Sequence, residues 1–340
     1  MSLILPRGPR LSRRALLATG SAAAGMLAMP AILRASNGPV FTHGVQSGDA
    51  SASGGMVWTR VDRPSRILLE VSTTESFADA RRVAQLTALP DSDMAVKCLI
   101  DGVAPDQRVF YRFTATDLSD VNSTGQPVTG QFRAAPTQKR DIRFGWSGDT
   151  AGQGFGIPEE GMRTYAAMSG HELDFFIHSG DTIYADGPIK AEQEHAGGVW
   201  KNVVVIPEVE KVAETLDEFR GRYKYNQMDR FVQSFCSEVP FYYQWDDHEV
   251  TNNWSPGKDL SGDDRYTEKS IALLSARAGR AFHEMTPISY TAQEPGRVYR
   301  AIHQGPLLDI FMLDLRGYRA ANNDSMQDSM GGDATLLGEA

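Results

Sequence analysis

Apolar segments that stop at an aspartate recur in the second half of this 340-residue chain. The clearest is Asp174–Tyr184, in which an apolar run leads into Gly180, Asp181 and, three residues later, a tyrosine. Open α/β sheets bind ligands beyond the carboxyl ends of their strands, and Asp181 follows a predicted strand at that position. Taken alone, the stretch is more typical of a strand and an ordinary glycine–aspartate turn. Repetition of the pattern favours a binding site.

The repeated endings predict one cluster of carboxylates. Three further predicted strands end in aspartate, namely 142–147 before Asp149, 241–245 before Asp246 and Asp247, and the continuously apolar 307–313, predicted to be fully buried, before Asp314. Carboxylates crowded at one sheet edge repel one another unless cations neutralise them. Oxygen ligands suit calcium, magnesium, manganese or ferric iron, and a pair of such ions can clamp the oxygens of a phosphoryl transfer. Asp181 is the candidate to bridge two ions.

Other polar side chains near these strand ends are candidates for substrate binding. His248 lies directly after the aspartate pair, where it could bond a phosphate oxygen or protonate a leaving alkoxide. Asn252 and Asn253 could reach a metal or a phosphate oxygen, or cap a loop. Arg316 could bind a phosphate with its fork or hold a carboxylate in place, and the second role is favoured. His178, inside the Asp174–Tyr184 strand, is predicted to be a core residue.

The composition excludes some classes of partner and site. The net charge is −9, from 34 basic and 43 acidic residues, so no basic excess is present to neutralise a nucleic acid. A phosphate-bearing substrate would therefore need metal cations. Only two cysteines occur, Cys98 and Cys236, without a Cys-x-x-Cys pattern. They are predicted to be buried thiols and not zinc ligands.

The first 36 residues differ from the rest. Four arginines precede an apolar run from Ala15 to Ile32, and no acidic residue occurs. This pattern predicts an export signal, and Ser12–Leu17 resembles a twin-arginine signal, which implies export by the Tat machinery to the periplasm or the exterior. A membrane anchor is the alternative, but glycines and a proline interrupt the run.

The remaining pattern predicts two domains. Residues 37–135 contain short β segments bounded by turn residues, typical of a small sandwich, and a polar linker at 134–139 follows. Strands and helices alternate in 140–340, which predicts an α/β domain. The predicted helices are 158–169, 212–235 and 266–284. Residues 185–206 are predicted to be a long loop over the site.

Three motifs together carry a family resemblance. Gly148–Thr150, Gly180–Tyr184 and Trp245–Glu249 resemble motifs of the PhoD-type alkaline phosphatase family, a branch of the metallophosphoesterases related to purple acid phosphatases. Leu99–Phe113 resembles the late loop and strand of a fibronectin type III domain. The resemblance implies a fibronectin III-like sandwich followed by a four-layer α/β/β/α metallophosphoesterase domain. It also implies an exported calcium- and iron-dependent phosphomonoesterase or phosphodiesterase that scavenges phosphate from small esters, expected to be a monomer.

The family motifs assign roles to individual residues. By resemblance, Asp181 bridges the metals and Tyr184 binds ferric iron. Asp149 stands where some members present a cysteine to the iron. Asp247 replaces the asparagine of the related Gly-Asn-His-Glu motif and binds the second metal, while His248 contacts the substrate phosphate. Whether the neighbouring Asp246 contacts a metal stays open.

One departure from the family limits the expectation. No later Gly-Asp-x-His-like motif occurs before Ala340, and 333–340 looks like the beginning of an amphipathic helix. We therefore expect a fragment of a longer protein whose catalytic domain is incomplete. The leading hypothesis is a phosphoesterase in which a metal-bound hydroxide attacks phosphorus. The alternatives are a phospholipase D-like phosphodiesterase, a non-catalytic calcium-binding surface protein and an inactive fragment.

Overall fold

A computed structural model describes residues 37–322 and Thr335 of the chain. The predicted export signal at 1–36 lies outside the described residues, and so does the predicted terminal helix at 333–340 except for Thr335. In the described part, no helix combines the length and the apolar character needed to cross a bilayer.

The N-terminal part is β-rich, as predicted. Its strands are β1 (Phe41–Gly48), β2 (Gly54–Val61), β3 (Ser65–Ser72), β4 (Arg81–Ala88), β5 (Ala95–Asp101), β6 (Arg108–Asp117) and β7 (Val128–Arg133), with a short 3-10 helix at Pro90–Ser92. In β6, alternate residues such as Tyr111 and Phe113 are fully buried, which is the period of a strand with one face in a core. The sheet β4-β3-β6-β7 packs against β1 and β2, whose Val45 and Val57 belong to the same core.

Strands and helices alternate in the second part. The elements are β8 (Phe144–Ser147), α1 (Arg163–Ser169), β9 (Phe175–Ser179), β10 (Glu192–His195), β11 (Gly198–Lys201), α2 (Leu216–Gln227), α3 (Arg230–Glu238), β12 (Phe241–Gln244), α4 (Ile271–Met285), β13 (Arg300–His303) and β14 (Asp309–Met312). A second short 3-10 helix spans Pro207–Val209.

The central sheet joins strands of both parts. Its order is β5-β2-β1-β12-β9-β8, in which β12, β9 and β8 run parallel. β1 pairs with β12 in parallel at a single position, Gly48 opposite Phe241. The sheet thus continues across the predicted linker, from the N-terminal strands into the strands that precede Asp149, Asp181 and Asp246.

Different layers cover the two faces of the parallel strands. On one face, Phe176 and Phe241 pack against Phe235 of α3 and share a core with α2 and α4. On the other face, Phe175 and Tyr242 pack against residues of the β13–β14 hairpin. Helices, sheet and hairpin therefore form three layers, with the aspartates at the carboxyl edge of the middle one.

The structure corrects three local predictions. Residues 307–313 do not form a buried strand of the central sheet, because β14 pairs with β13 and leaves Leu307 and Phe311 65% and 68% exposed. The helix predicted at 212–235 is broken, since the Asp229 carboxylate accepts hydrogen bonds from the first backbone N–H groups of α3 and begins a new helix. The predicted loop 185–206 contains the β10–β11 hairpin.

Candidate metal centre

Three strand ends meet at one edge of the central sheet. Because β8, β9 and β12 are parallel neighbours, Asp149, Asp181 and the Asp246–Asp247 pair emerge on the same side. Asp314 follows β14, outside this sheet. Its carboxylate accepts hydrogen bonds from Trp245 Nε1 at 3.1 Å and from the backbone of Gly317 at 2.7 Å, so it is engaged in structure.

Three side chains form a compact group of potential metal ligands. Asp181, Asp247 and His248 each offer one ligand atom, and these atoms lie within 4.8 Å of one another. The two aspartates are buried, at 9% and 5% exposure. Two carboxylate oxygens and an imidazole nitrogen suit a hard or borderline metal ion.

Electrostatics at Asp181 favours a bound cation. Burial raises the pKa of this carboxyl to about 7, and the neighbouring charges of Asp247 and Asp246 add to the effect, partly offset by His248. Without a cation the protein must therefore keep a proton there or tolerate repulsion between carboxylates. A metal ion would remove this cost, since it stabilises both negative charges at once.

The turn after β9 fixes the position of Asp181. Gly180 has φ 98°, a conformation that glycine adopts without a side-chain clash. A Cβ at Gly180 would lie 2.5 Å from the backbone nitrogen of Asp246, so glycine also permits the close approach of the two ligand loops. Asp181 itself has φ 52°, and its carboxylate accepts the backbone N–H of His248 at 3.2 Å.

Tyr184 and Asp149 lie beside the three-residue group. The Tyr184 hydroxyl donates a hydrogen bond to Asp149 Oδ1, and its ring stacks on the imidazole of His248 with centroids 4.3 Å apart. Burial, followed by Asp149 and Asp181, raises the pKa of the phenol well above its usual value. The phenol is therefore neutral in the absence of a cation. Tyr184 and Asp149 are not members of the compact group.

Asp186, which the sequence analysis missed, orients His248. Asp186 Oδ1 lies 2.8 Å from His248 Nδ1, and its Oδ2 accepts the backbone N–H of Asn252 at 2.9 Å. Burial disfavours the protonated ring of His248, but the hydrogen bond and charge of Asp186 outweigh it and raise the pKa of the imidazole. With Nδ1 facing Asp186, Nε2 is left for a ligand. Asp186 lies two residues after Tyr184, at the start of the predicted loop.

Glu249 connects the two ligand loops. It is the last residue of the Trp245–Glu249 motif, and the sequence alone assigned it no role. Its side chain is fully buried and accepts backbone N–H groups from Asp181 at 3.2 Å, Thr182 at 2.7 Å and Asp246 at 2.8 Å. Burial and the charge of Asp181 raise its pKa to about 8 against these three donors. Glu249 therefore holds the ends of β9 and β12 together without facing a ligand.

The remaining candidates surround the group. Arg316 donates to Asp247 Oδ1 at 3.0 Å and pairs with Asp246, so it holds the two carboxylates, the role that the sequence favoured. The backbone N–H of Asn253 donates to Asp247 Oδ2, whereas Asn252 contacts Asp186 through its backbone. Both asparagines are exposed.

His178 and the two cysteines stand apart from the centre. His178 is buried in β9, where its Nε2 lies 2.7 Å from the Thr150 hydroxyl, and burial lowers its pKa to about 4. Both cysteines are free, and Cys236 is buried. None of the three belongs to the ligand group.

Two family models match the two parts of the chain. The family described as PhoD-like phosphatase matches residues 144–340, and its N-terminal domain family matches residues 27–136. Alkaline phosphatase D of Bacillus subtilis (strain 168) is 28% identical over 321 residues, which cover 88% of this chain and 52% of the relative. The chain thus spans about half the length of this curated relative.

A solved structure shows the same fold. A structure of PhoD superposes with a TM-score of 0.71 at 24% identity, over 88% of this chain and 57% of that chain. A purple acid phosphatase from yellow lupin seeds (Lupinus luteus) reaches a TM-score of 0.44 at 11% identity, over 82% of this chain and 46% of that chain. This likeness is too weak to assign a fold.

Proposed function

Because this chain belongs to the PhoD-like phosphatase family, we propose that it acts as a metal-dependent phosphoesterase on phosphomonoesters, phosphodiesters or both. The observation that carries the proposal is the convergence of Asp181, Asp247 and His248 within 4.8 Å at the carboxyl ends of β9 and β12. Their donor atoms and the raised pKa of Asp181 fit a bound cation.

The proposed centre holds two or more ions, calcium and ferric iron by resemblance to the family. Asp181 would bridge them, with Asp247 on one ion and Asp149 and Tyr184 on the other. The bond between the Tyr184 hydroxyl and Asp149 supports the second set, since it places a phenol and a carboxylate side by side. Bound metal ions would lower the pKa of a nucleophilic water and neutralise the phosphoryl oxygens.

The protein's own groups would bind and orient the ester. His248, held by Asp186, could donate a hydrogen bond to a phosphate oxygen or a proton to the leaving alkoxide. Arg316 would keep Asp246 and Asp247 in place, and one of its nitrogens, Nη1, is buried without a hydrogen-bond partner in the described part of the chain. That nitrogen supports a contribution of Arg316 to phosphate binding.

Export and fold details complete the proposal. The arginine-containing segment at 1–36 supports Tat export to the periplasm or exterior. We propose further, by resemblance to the family, that the protein scavenges phosphate from small esters there, and that it acts as a monomer. The arrangement of three strands (β1, β2, β5) opposite four (β3, β4, β6, β7) supports a fibronectin III-like sandwich. The hairpin layer opposite the helices supports an α/β/β/α architecture.

Assays with a chelator test the activity. We expect hydrolysis of p-nitrophenyl phosphate or bis-p-nitrophenyl phosphate to be lost in EDTA and restored by Ca²⁺ with Fe³⁺, and the ratio of the two rates defines the ester class. Asp181→Asn should remove the activity, whereas Asp49→Asn, a matched Gly-Asp position remote from the centre, should retain it. Hydrolysis that resists EDTA and Asp181→Asn would overturn the proposal, and metal binding without hydrolysis would favour a calcium-binding protein.

Spectroscopy tests the metal assignment separately. Mass-spectrometric metal analysis should find calcium and iron in the purified protein, and a tyrosinate–iron absorption band should be visible. Tyr184→Phe should abolish the band and leave calcium content unchanged. A band that survives this substitution would show that another tyrosine binds the iron.

A further inference from the structure

A cavity lies between β5 and α4, away from the metal centre. Its volume is about 520 Å³, in the range of small-molecule sites. Apolar walls come from Ala95, Pro295 and the ring of Tyr290, while Lys97 and His283 supply polar groups. None of the candidate metal ligands lines it.

Lys97 brings a positive charge to this cavity. Its ammonium donates to the carbonyls of His283 at 2.6 Å and Ile288 at 2.8 Å, which leaves one of its three protons free. Within the described ranges, no carboxylate oxygen lies within 4 Å of Nζ. Burial lowers the pKa of Lys97 to about 8, although the charges of Asp49 and Glu284 oppose the shift.

Glu284 is the nearby acid that also lines the cavity, and it is already engaged. Its carboxylate accepts Arg220 Nε at 2.7 Å and Arg280 Nε at 2.9 Å. Two guanidinium groups thus compensate its single charge. Lys97 is therefore left with carbonyl dipoles only, which solvate a cation but do not neutralise it.

His283 leaves two further polar atoms without partners. In the part of the chain that the structure describes, both ring nitrogens are buried and make no hydrogen bond. The Gly296 backbone lies close enough to favour the protonated ring, but burial and the charge of Lys97 dominate and lower the pKa of His283 to about 4. A neutral imidazole offers one donor and one acceptor, and a buried polar group without a partner destabilises the folded protein.

We propose that this cavity is a second ligand site, which binds an aromatic or otherwise apolar molecule carrying one carboxylate group. The carboxylate pairs with the free N–H of Lys97 and accepts a hydrogen bond from His283. The apolar body packs against Ala95, Pro295 and Tyr290. An anion supplies the negative charge that Lys97 lacks among the described residues. Arg280, which also lines the cavity, is already engaged by Glu284.

Calorimetry with 2-naphthoate and its uncharged analogue 2-naphthamide tests the site. We expect saturable binding of the carboxylate, at least about tenfold tighter than the amide, and a change in the ring ¹⁵N signals of His283 on binding. Lys97→Met should weaken 2-naphthoate binding at least about tenfold, and His283→Phe at least about threefold. His303→Phe, at a solvent-exposed histidine, is the control and should bind as wild type.

A variant at an exposed wall of the cavity covers the case in which Lys97→Met unfolds because the end of α4 loses its cap. Tyr290→Ala keeps both polar groups and removes an apolar wall at a largely exposed position, so it should weaken 2-naphthoate binding at least about fivefold in a folded protein. Equal binding of the acid and the amide, unchanged binding in Tyr290→Ala, or no saturable binding would each overturn the proposal. Binding should persist in Asp181→Asn, which separates this site from the proposed phosphoesterase centre.

Discussion

Asp49 and Asp181 occupy the same local motif in opposite electrostatic surroundings. Each follows a glycine at the end of a strand of the central sheet, and each has a left-handed backbone, with φ 43° and 52°. Their side chains are both largely removed from solvent. Asp49 lies at the amino end of β12, where its N–H donates to the carbonyl of Phe241, and Asp181 lies at the carboxyl edge.

The neighbours of the two carboxylates differ in charge. Asp49 forms a 2.7 Å pair with Arg300 and accepts the backbone N–H of Ser289 at 2.7 Å. Asp181 instead faces Asp247 and Asp246, with His248 as its nearest potential cation. A Gly-Asp turn by itself therefore does not define a site. A buried aspartate that has no basic side chain paired with it among the described residues does indicate a site.

The largest expected effect on stability comes from removing the built-in counter-ion. In Arg300→Met, Asp49 stays buried without a cation, and breaking a buried pair in this way costs about 3–5 kcal/mol. We expect the free energy of unfolding in urea to fall by this amount with metal affinity unchanged. Asp49→Asn in the same chain should recover part of the loss. No recovery would assign the loss to the bonds that Arg300 donates to the Tyr243 and Val298 carbonyls.

The reciprocal change at the metal centre should act on binding. Asp181→Asn removes a charged ligand, and we expect calorimetry to show metal affinity reduced at least about 100-fold, or about 2.8 kcal/mol. In EDTA the variant should be more stable than wild type, because repulsion with Asp247 is relieved. Asp49→Asn is the matched control and should keep wild-type affinity. Unchanged affinity in Asp181→Asn would place the ion elsewhere.

A smaller effect is expected from Asp186→Asn, which leaves every ligand of the compact group in place. Loss of the carboxylate should loosen His248 and lower kcat/KM for ester hydrolysis about tenfold, because the imidazole is no longer held in the orientation in which it donates to the substrate. The pKa of His248, followed by NMR of the metal-free protein, should fall. Asn252→Ala keeps the backbone N–H that Asp186 accepts and should change neither quantity. A pKa for His248 that does not move would assign Asp186 a purely structural role.

The aspartates at the carboxyl ends of the parallel strands could be predicted from the sequence, because each directly follows its strand along the chain. Asp149, Asp181 and Asp247 follow apolar strands directly, and parallel strands bring such positions together whatever their distance along the chain. Asp186 was missed because its role depends on the path of the loop after Tyr184, which brings it back to His248. Glu249 was visible in its motif, but nothing local shows that its carboxylate points inward to three backbone N–H groups.

Long-range contacts explain the remaining differences. β1 joins β12 through one residue pair, Gly48 and Phe241, and no periodicity encodes that contact. The apolar run 307–313 has the composition of a central strand, but it pairs with the adjacent β13, and a short loop makes that contact easy to form. Arg300 belongs to the same hairpin, and only tertiary structure brings it to Asp49.

The pH dependence of the metal-free protein should separate the two aspartates. The pKa of Asp181 is about 7 in the folded chain and near 3.8 when unfolded, so the folded state binds the extra proton between these values. Its contribution to stability is therefore complete below about pH 4 and is lost as the pH rises through about 7. Glu249, whose pKa is also raised, adds a slope of the same sign, so the comparison must be made between variants.

In EDTA, urea midpoints should fall with pH less steeply in Asp181→Asn than in wild type or Asp49→Asn. Added metal should reverse the sign of the slope of stability against pH that Asp181 contributes, since the ion displaces the proton and binds more tightly at higher pH. Parallel slopes in all three proteins would mean that Asp181 is ionised without a metal, and the contrast with Asp49 would then be one of geometry and not of charge.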